Sequence, residues 1–360
     1  MSVKTLRQAP GPDPVRADTA RILRHALTPQ DARAALNHAR RCLGSYGSVS
    51  APRFLADARM LASGLPLAVR ELMDAARLDD RKHAVMITGN VVADGELGPT
   101  PAHWREADTE DSRVYGMLLA LYATLLGDIV GWATQQAGRL IADVLPTLGD
   151  EDKILNSCSS RELVWHTEDA FSPYRAEYVG LSCLRSPDAT PTTLSSVRPG
   201  LVPQWARDVL RQPRFEILPD NAHSGPDGPG PSAGSSTASP QAFDRLDRLR
   251  REPPAVALLD GAPDAPVLRI DRDFVRAREG DAEAAEALAW LVAHLDANLY
   301  DLPMRVGDVC FIDNRTSVHG RRPFRARYDG TDRWLKRVNA VCDLRRSRPA
   351  RSCADDRVIG

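Results

Sequence analysis

Residues 163–178 read Leu-Val-Trp-His-Thr-Glu-Asp-Ala-Phe-Ser-Pro-Tyr-Arg-Ala-Glu-Tyr. The apolar run Leu163-Val164-Trp165 predicts a strand that delivers His166 and Glu168 into a loop. On a strand, positions i and i+2 point to the same side, so an imidazole and a carboxylate face one way, as two neighbouring ligands of one metal would. A third ligand is required. His319, in Ser-Val-His-Gly-Arg-Arg, follows another strand-like run, Val309-Cys310-Phe311-Ile312. Two histidines and one carboxylate with open positions left over form the facial triad of non-haem Fe(II) sites. A hydrogen-bonded core histidine beside a buried ion pair would look the same on these residues alone. Asp169 also follows the pair, but strand alternation turns it to the opposite side, so it is left out of the set.

Arg333 lies fourteen residues beyond His319, at the head of the alternating run Arg333-Trp334-Leu335-Lys336-Arg337-Val338. A guanidinium there offers a planar fork for a carboxylate. A turn and a returning strand fit the spacing.

The blocks HTEDAFSPYRAEYVGL, GWATQQ, FIDNRTSVHGR and RYDGTDRWLKR together resemble the clavaminate-synthase-like branch of the Fe(II)/2-oxoglutarate oxygenases. Within it they are most similar to the free L-arginine β-hydroxylases of viomycin and capreomycin biosynthesis. The resemblance runs from about Leu27 to the C-terminus. It implies a mainly β fold with a helical annex, in which a double-stranded β-helix (jelly-roll) core is flanked by helices. It also implies Fe(II), 2-oxoglutarate and O2 as cofactor and co-substrates, and free L-arginine hydroxylated at C3 in non-ribosomal peptide antibiotic biosynthesis. By the same resemblance His166, Glu168 and His319 hold the metal, and Arg333 and Thr193 hold the distal carboxylate of 2-oxoglutarate. Arg337 pairs with the substrate carboxylate, while Gln135 and the free oxygen of Glu168 meet its amino group. Asp220, Asp271 and Asp273 meet the guanidinium, and Asn156 lines the substrate end. Asp271 and Asp273 are expected on one face of a strand end.

The sequence departs from the family pattern in three places. It carries HxE where many relatives have HxD, Ala222 where a Ser is usual, and Leu155-Asn156-Ser157 in place of a Ser-rich run. The last two leave open an arginine 4,5-desaturase or a hydroxylase of a cyclic arginine derivative. A metal-dependent hydrolase on the same triad is the reading from another class, and it has no use for Arg333 and Thr193.

The bulk properties agree. The chain has 360 residues, is 43% hydrophobic and carries a net charge of −1, enough for one large core and without the basic bias of a nucleic-acid or anionic membrane surface. No CxxC pair occurs among its six cysteines, and most lie in apolar runs, so a reducing cytoplasm is expected. The start, MSVKTLRQAPGPDPVRAD, has no apolar signal-peptide segment. Residues 1–18 read as disordered and 19–360 as one oxygenase domain. Within that domain Thr28-Pro29 caps a helix, residues 54–78 are helical with a break near Gly64 and Pro66, and Tyr115–Trp132 is a long buried helix. Residues 223–240, HSGPDGPGPSAGSSTASP, lack apolar anchors and are expected to form a mobile lid. The histidines outside the triad, His223 included, read as ordinary. Oligomeric state is not legible in the sequence.

Overall fold

The computed structural model describes residues 21–153, 157–223 and 240–360. The expected N-terminal disorder, the strand at 154–156, Asn156 and nearly all of the expected lid lie outside the described residues.

Among the described residues, sixteen strands make up the β structure. The first eight are β1 (Ile22–Ala26), β2 (Ala84–Thr88), β3 (Asp128–Trp132), β4 (Ile141–Val144), β5 (Leu163–His166), β6 (Tyr178–Arg185), β7 (Thr192–Ser196) and β8 (Phe215–Ile217). The others are β9 (Leu259–Ala262), β10 (Ala265–Leu268), β11 (Val275–Ala277), β12 (Tyr300–Leu302), β13 (Val309–Asp313), β14 (Ser317–Arg321), β15 (Trp334–Val341) and β16 (Val358–Ile359). The major sheet runs β1-β2-β13-β6-β15-β3-β16, with β4 also paired to β15. It is mixed, because β1–β2 and β3–β16 are parallel and its other pairings antiparallel. The smaller sheet, β12-β7-β14-β5, is antiparallel throughout.

The two sheets pack face to face. Leu181, Cys183, Cys310, Ile312 and Leu335 of the major sheet share one buried cluster with Leu194, Tyr300 and Leu302 of the smaller. The other face of the major sheet is covered by helices α1 (Pro29–Tyr46), α2 (Pro52–Ala62), α3 (Leu67–Leu78) and α4 (Glu110–Thr124), through Phe54, Met73, Leu119 and Tyr122 against Phe311, Trp334 and Val338. Strand β15 shows the alternation directly. Trp334 and Val338 belong to the helical side, Leu335 to the space between the sheets. Arg333 and Arg337 fall on the Leu335 side by the same period of two.

Thr28 caps α1 as its sequence predicts, its hydroxyl accepting from Asp31 N at 3.1 Å with Pro29 in the first turn. The long helix expected over 115–132 is two elements. Helix α4 stops at Thr124, and Asp128–Trp132 is strand β3. Gly127 makes the turn where β15 passes close by: a Cβ on Gly127 would lie 2.3 Å from Val341 O. The run is broken only at Gly116, Thr124, Gly127-Asp128 and Gly131, and Gly127-Asp128 marks the change; the apolar stretches on either side do not, because a buried helix and a buried strand read alike.

Candidate active site

Register builds the centre of the site. His166 on β5 and His319 on β14 are direct cross-strand partners, and their ring centroids are 4.7 Å apart. Strand β5 ends at His166, so Glu168 reaches the centre from the following loop and not along a strand. Asn314 fixes that loop. Its Oδ1 accepts from Glu168 N at 2.6 Å, and its Nδ2 donates to the carbonyls of Glu168 and Ala176. Glu168 Oε2 lies 3.3 Å from His319 Nε2 and 3.6 Å from His166 Nε2. Ligands at right angles about 2.1 Å from an octahedral metal are about 3 Å apart, so these three atoms fit one ion. His166 Nδ1–H donates to Val164 O at 2.9 Å, which leaves Nε2 free to ligate.

Charge at this centre is coupled. Burial opposes ionisation of Glu168, but Arg337, His166 and His319 outweigh it and hold the carboxyl well below its usual range. Burial and the neighbouring His166 push the His319 ring down. A metal ion would bind the ionised carboxylate and neutral imidazoles, in place of any proton at those ligand atoms.

Thr193 and Arg333 flank the end of β14. Thr193 pairs with Gly320 in register, and Arg333 is buried within the electrostatic reach of Arg321 and Cys183. Thr193 Oγ1 and Arg333 Nε are buried with no hydrogen-bond partner among the described residues. A buried cation and an orphaned hydroxyl are the donor set for a carboxylate, so the chain fits 2-oxoglutarate there. Burial lowers Arg333 from its ordinary value to about 10.

Arg337 contacts Glu168 Oε1 through Nη1 and donates from Nη2 to Gln135 Oε1 at 2.8 Å. On the other side of His166 stands Asp271, paired with it in an isolated bridge and placed by the backbone bond from Thr167 N to Ile270 O. Asp271 is buried, and burial with the charges of Asp220 and Asp273 pushes its carboxyl up to about 7 against the opposing effect of His166. The expectation that Asp271 and Asp273 share a strand face is not met. Phe274 N and Val275 N both bond Asp271 O in a turn, which leaves Asp273 exposed with its N–H on Asp271 Oδ1. Asp220 is half-buried and accepts from Ala222 N at 2.8 Å.

Two further residues belong to this site against expectation. Asp169 was expected to point away by strand alternation. It lies beyond the strand with φ of 52°, in the left-handed region that Asp tolerates better than most residues, and its carboxylate is fully buried. Trp132 Nε1, His223 Nε2, Gln135 Nε2 and Asn339 Nδ2 all donate to it. His223, expected as ordinary and as the first residue of a mobile lid, is completely buried. Its Nδ1 is 2.7 Å from Thr134 Oγ1, and its ring stands edge-on to Trp132 and Phe171. Burial disfavours the charged ring, yet Asp169 and Asp220 raise its pKa. Asp169, Asp220 and His223 form a second convergence of ligand atoms, within 4.8 Å of one another, but Asp169 is already engaged by four donors.

Residues 239–339 match the model of the taurine catabolism dioxygenase TauD, TfdA family. The enduracididine beta-hydroxylase of Streptomyces hygroscopicus is 41% identical, over 87% of this chain and 93% of its own. The L-ornithine/L-arginine 3-hydroxylase of Catenulispora acidiphila is 37% identical over 93% of this chain and 99% of that protein. A solved structure of the non-heme iron oxygenase OrfP, in complex with Fe, succinate and (3S)-hydroxy-L-Arg, superposes with a TM-score of 0.88 at 38% identity, covering 94% of this chain and 99% of OrfP. Relatives this similar over nearly their whole lengths, joined to a His-Glu-His centre and a buried arginine whose Nε has no partner among the described residues, settle the assignment: the chain belongs to the TauD/TfdA family and is a non-haem iron, 2-oxoglutarate-dependent oxygenase, with clavaminate synthase among its relatives.

Proposed function

We propose that this enzyme hydroxylates free L-arginine at C3, in the biosynthesis of a non-ribosomal peptide antibiotic. The observation that carries the substrate reading is the placing of Asp271. It is a buried carboxylate beside His166 with Asp220 and Asp273 near it and no cation paired to it among the described residues. Three carboxylates suit a guanidinium, whose five donors lie in one plane. Arg337 and Gln135 stand on the Glu168 side, where they receive the α-carboxylate and, with Glu168, the α-amino group. An amino acid held at both ends lies across the metal centre, and the identities of the relatives support C3 as the carbon presented.

Iron held there with 2-oxoglutarate would supply the activation of O2, one oxygen atom going to the substrate and the other to succinate, with CO2 released. The chain's own part is positioning. His166, Glu168 and His319 hold the metal. Arg333 and Thr193 hold the far carboxylate of the keto acid, which keeps its reactive end in one register. Asn156 completes the substrate end in this reading. The facing sheets form the double-stranded β-helix of a single oxygenase domain over 19–360. No helix among the described residues is long and apolar enough to cross a membrane, and the free state of all six cysteines supports a reducing cytoplasm.

A second reading, hydroxylation of the cyclic arginine derivative enduracididine, is favoured by the 41% identity to an enduracididine beta-hydroxylase. Both substrates carry the guanidine group that the carboxylates select. The test compares L-arginine, enduracididine and citrulline. Citrulline keeps the shape and loses the charge, so its kcat/KM should fall by the about 2–5 kcal/mol typical of one missing partner in a buried charge pair. The double variant Asp271→Ala/Asp273→Ala should lose arginine turnover and keep slow, uncoupled succinate formation. Equal turnover of citrulline and arginine would remove the basis for a guanidinium substrate.

A further inference from the structure

Gln135 is the group at the amino end of the substrate in the reading above, and an amide is useful there only if it cannot rotate. Its backbone is pinned, with Gln135 N on Trp132 O and Gly138 N on Gln135 O, both at 3.0 Å. Its Oε1 is set by Arg337 Nη2 at 2.8 Å, which settles that Nε2 faces the other way. There Nε2 meets Asp169 Oδ1 at 3.3 Å and His223 Nε2 at 2.9 Å. His223 Nε2 is itself 2.9 Å from the same Asp169 oxygen. Three polar atoms from three segments therefore meet at one buried point.

His223 is the residue best placed to hold that point closed. Its ring is clamped by Trp132 at 5.4 Å and Phe171 at 4.8 Å between centroids. Thr134 Oγ1 holds the opposite ring nitrogen at 2.7 Å. Its main chain is held as well, because its carbonyl accepts from Arg250 Nη2 at 2.9 Å and its N–H bonds Asp220 O. A ring this fully engaged acts as a fixed wall. With its Nε2–H given to Asp169 Oδ1, the ring does not accept from Gln135; both side chains donate to the same carboxylate oxygen, and His223 holds that carboxylate where it orients the Gln135 amide.

We propose that His223 is a positioning residue for the amino-acid end of the substrate: through Asp169 it fixes the Gln135 amide, and through Gln135 it fixes Arg337 against Glu168. The path is continuous in hydrogen bonds, His223–Asp169–Gln135–Arg337–Glu168. It rests on the reading that Gln135 and Arg337 receive the α-amino and α-carboxylate groups. The 2-oxoglutarate pair, Arg333 and Thr193, is not on this path.

The separation of the two subsites supplies the test. In the full-length enzyme, His223→Ala should raise both the KM and the calorimetric Kd for arginine by about 10- to 100-fold, the loss expected for a hydrogen bond to a charged group. It should also raise the ratio of succinate to hydroxylated product, because a loosely held substrate no longer presents one carbon. The KM for 2-oxoglutarate should stay within about twofold. His223→Gln, which keeps a polar side chain in reach of Asp169, should recover part of the arginine affinity and coupling. It also serves as the folded variant if His223→Ala melts early. An arginine Kd and coupling ratio at wild-type values in either folded variant would overturn the proposal, as would a parallel rise in both KM values. If the wild-type enzyme itself neither binds nor hydroxylates arginine, the reading of the substrate fails first and this proposal falls with it, a result distinct from wild-type turnover with unaffected variants.

Discussion

Arg333 carries a prediction with two opposite signs. Its guanidinium is buried, its Nε has no partner among the described residues, and the neighbouring Arg321 adds to the effect of burial. Burial lowers it by more than two pKa units from its ordinary value, to about 10. A cation whose folded-state pKa is depressed destabilises the fold at every pH below that value, here by roughly 3 kcal/mol at about 1.4 kcal/mol per pKa unit. Replacing it by Leu removes that cost and keeps an apolar stem in place. Arg333→Leu should therefore raise the melting temperature of the protein free of metal and co-substrate by roughly 4 °C, since the about 2–4 °C per kcal/mol of a 150–250-residue chain falls to about 1.3 °C per kcal/mol at this length. The same change removes the partner of the distal carboxylate, at about 2–5 kcal/mol for one side of a buried charge pair, so 2-oxoglutarate should bind about 30- to several-thousand-fold more weakly. Wild-type protein should gain about 2.7 kcal/mol from 2-oxoglutarate at 100 times its Kd, and the variant should gain almost nothing at that concentration. Thermal melts with and without 2-oxoglutarate, together with anaerobic calorimetry on the metal-loaded protein, read both signs. A ligand-free variant that melts earlier than wild type while keeping its 2-oxoglutarate affinity would show that Arg333 is a structural arginine.

His319→Ala should lose metal, measured as bound iron after desalting, and lose succinate formation with it, because it removes one of three convergent ligands. Full iron content with wild-type turnover would remove His319 from the metal set. His83 sets an acid limit on stability away from the site. Burial, with Arg21 and Lys82 adding to it, pushes its ring down to about 3, and Arg21 Nη1 donates to its Nε2. The unfolded ring takes a proton near pH 6.5 and the folded ring does not, so this contribution is complete above about 6.5 and falls as the pH drops toward 3. By pH 5 the loss is about 2 kcal/mol. Chemical denaturation between pH 7 and 5 should show a shallower decline in His83→Gln than in wild type; parallel declines would rule out His83 as the titrating group.

The sequence exposed the centre of the site because cross-strand geometry is written in short apolar runs. Leu163–Trp165 and the strands around His319 deliver two histidines whose pairing in register is what a facial triad needs. The alternation of β15 was legible too, and it turns Arg333 and Arg337 to the inner face. Four features were hidden, each for a physical reason. Asp169 was misplaced because the strand ends at His166 and a left-handed residue reverses the expected direction. His223 sits beside a Gly/Pro/Ser-rich stretch, and composition says nothing of a single side chain that tertiary contacts with Trp132 and Phe171 draw inward. Asp271 and Asp273 look like a strand pair, but two backbone bonds to Asp271 O make a turn, so one carboxylate is buried and the other exposed. Asn314 was missed as well. A buried Asn in Phe-Ile-Asp-Asn-Arg-Thr holds both backbone groups of Glu168, and its only trace in the sequence is an amide at the end of an apolar strand.

The central claim is most directly tested by the product. Purified enzyme with Fe(II), 2-oxoglutarate, O2 and L-arginine should yield arginine carrying one added oxygen at C3, located by NMR of the isolated amino acid, with one succinate formed for each. Oxygen at another carbon, loss of two hydrogens without added oxygen, or succinate released with no modified arginine would contradict the account.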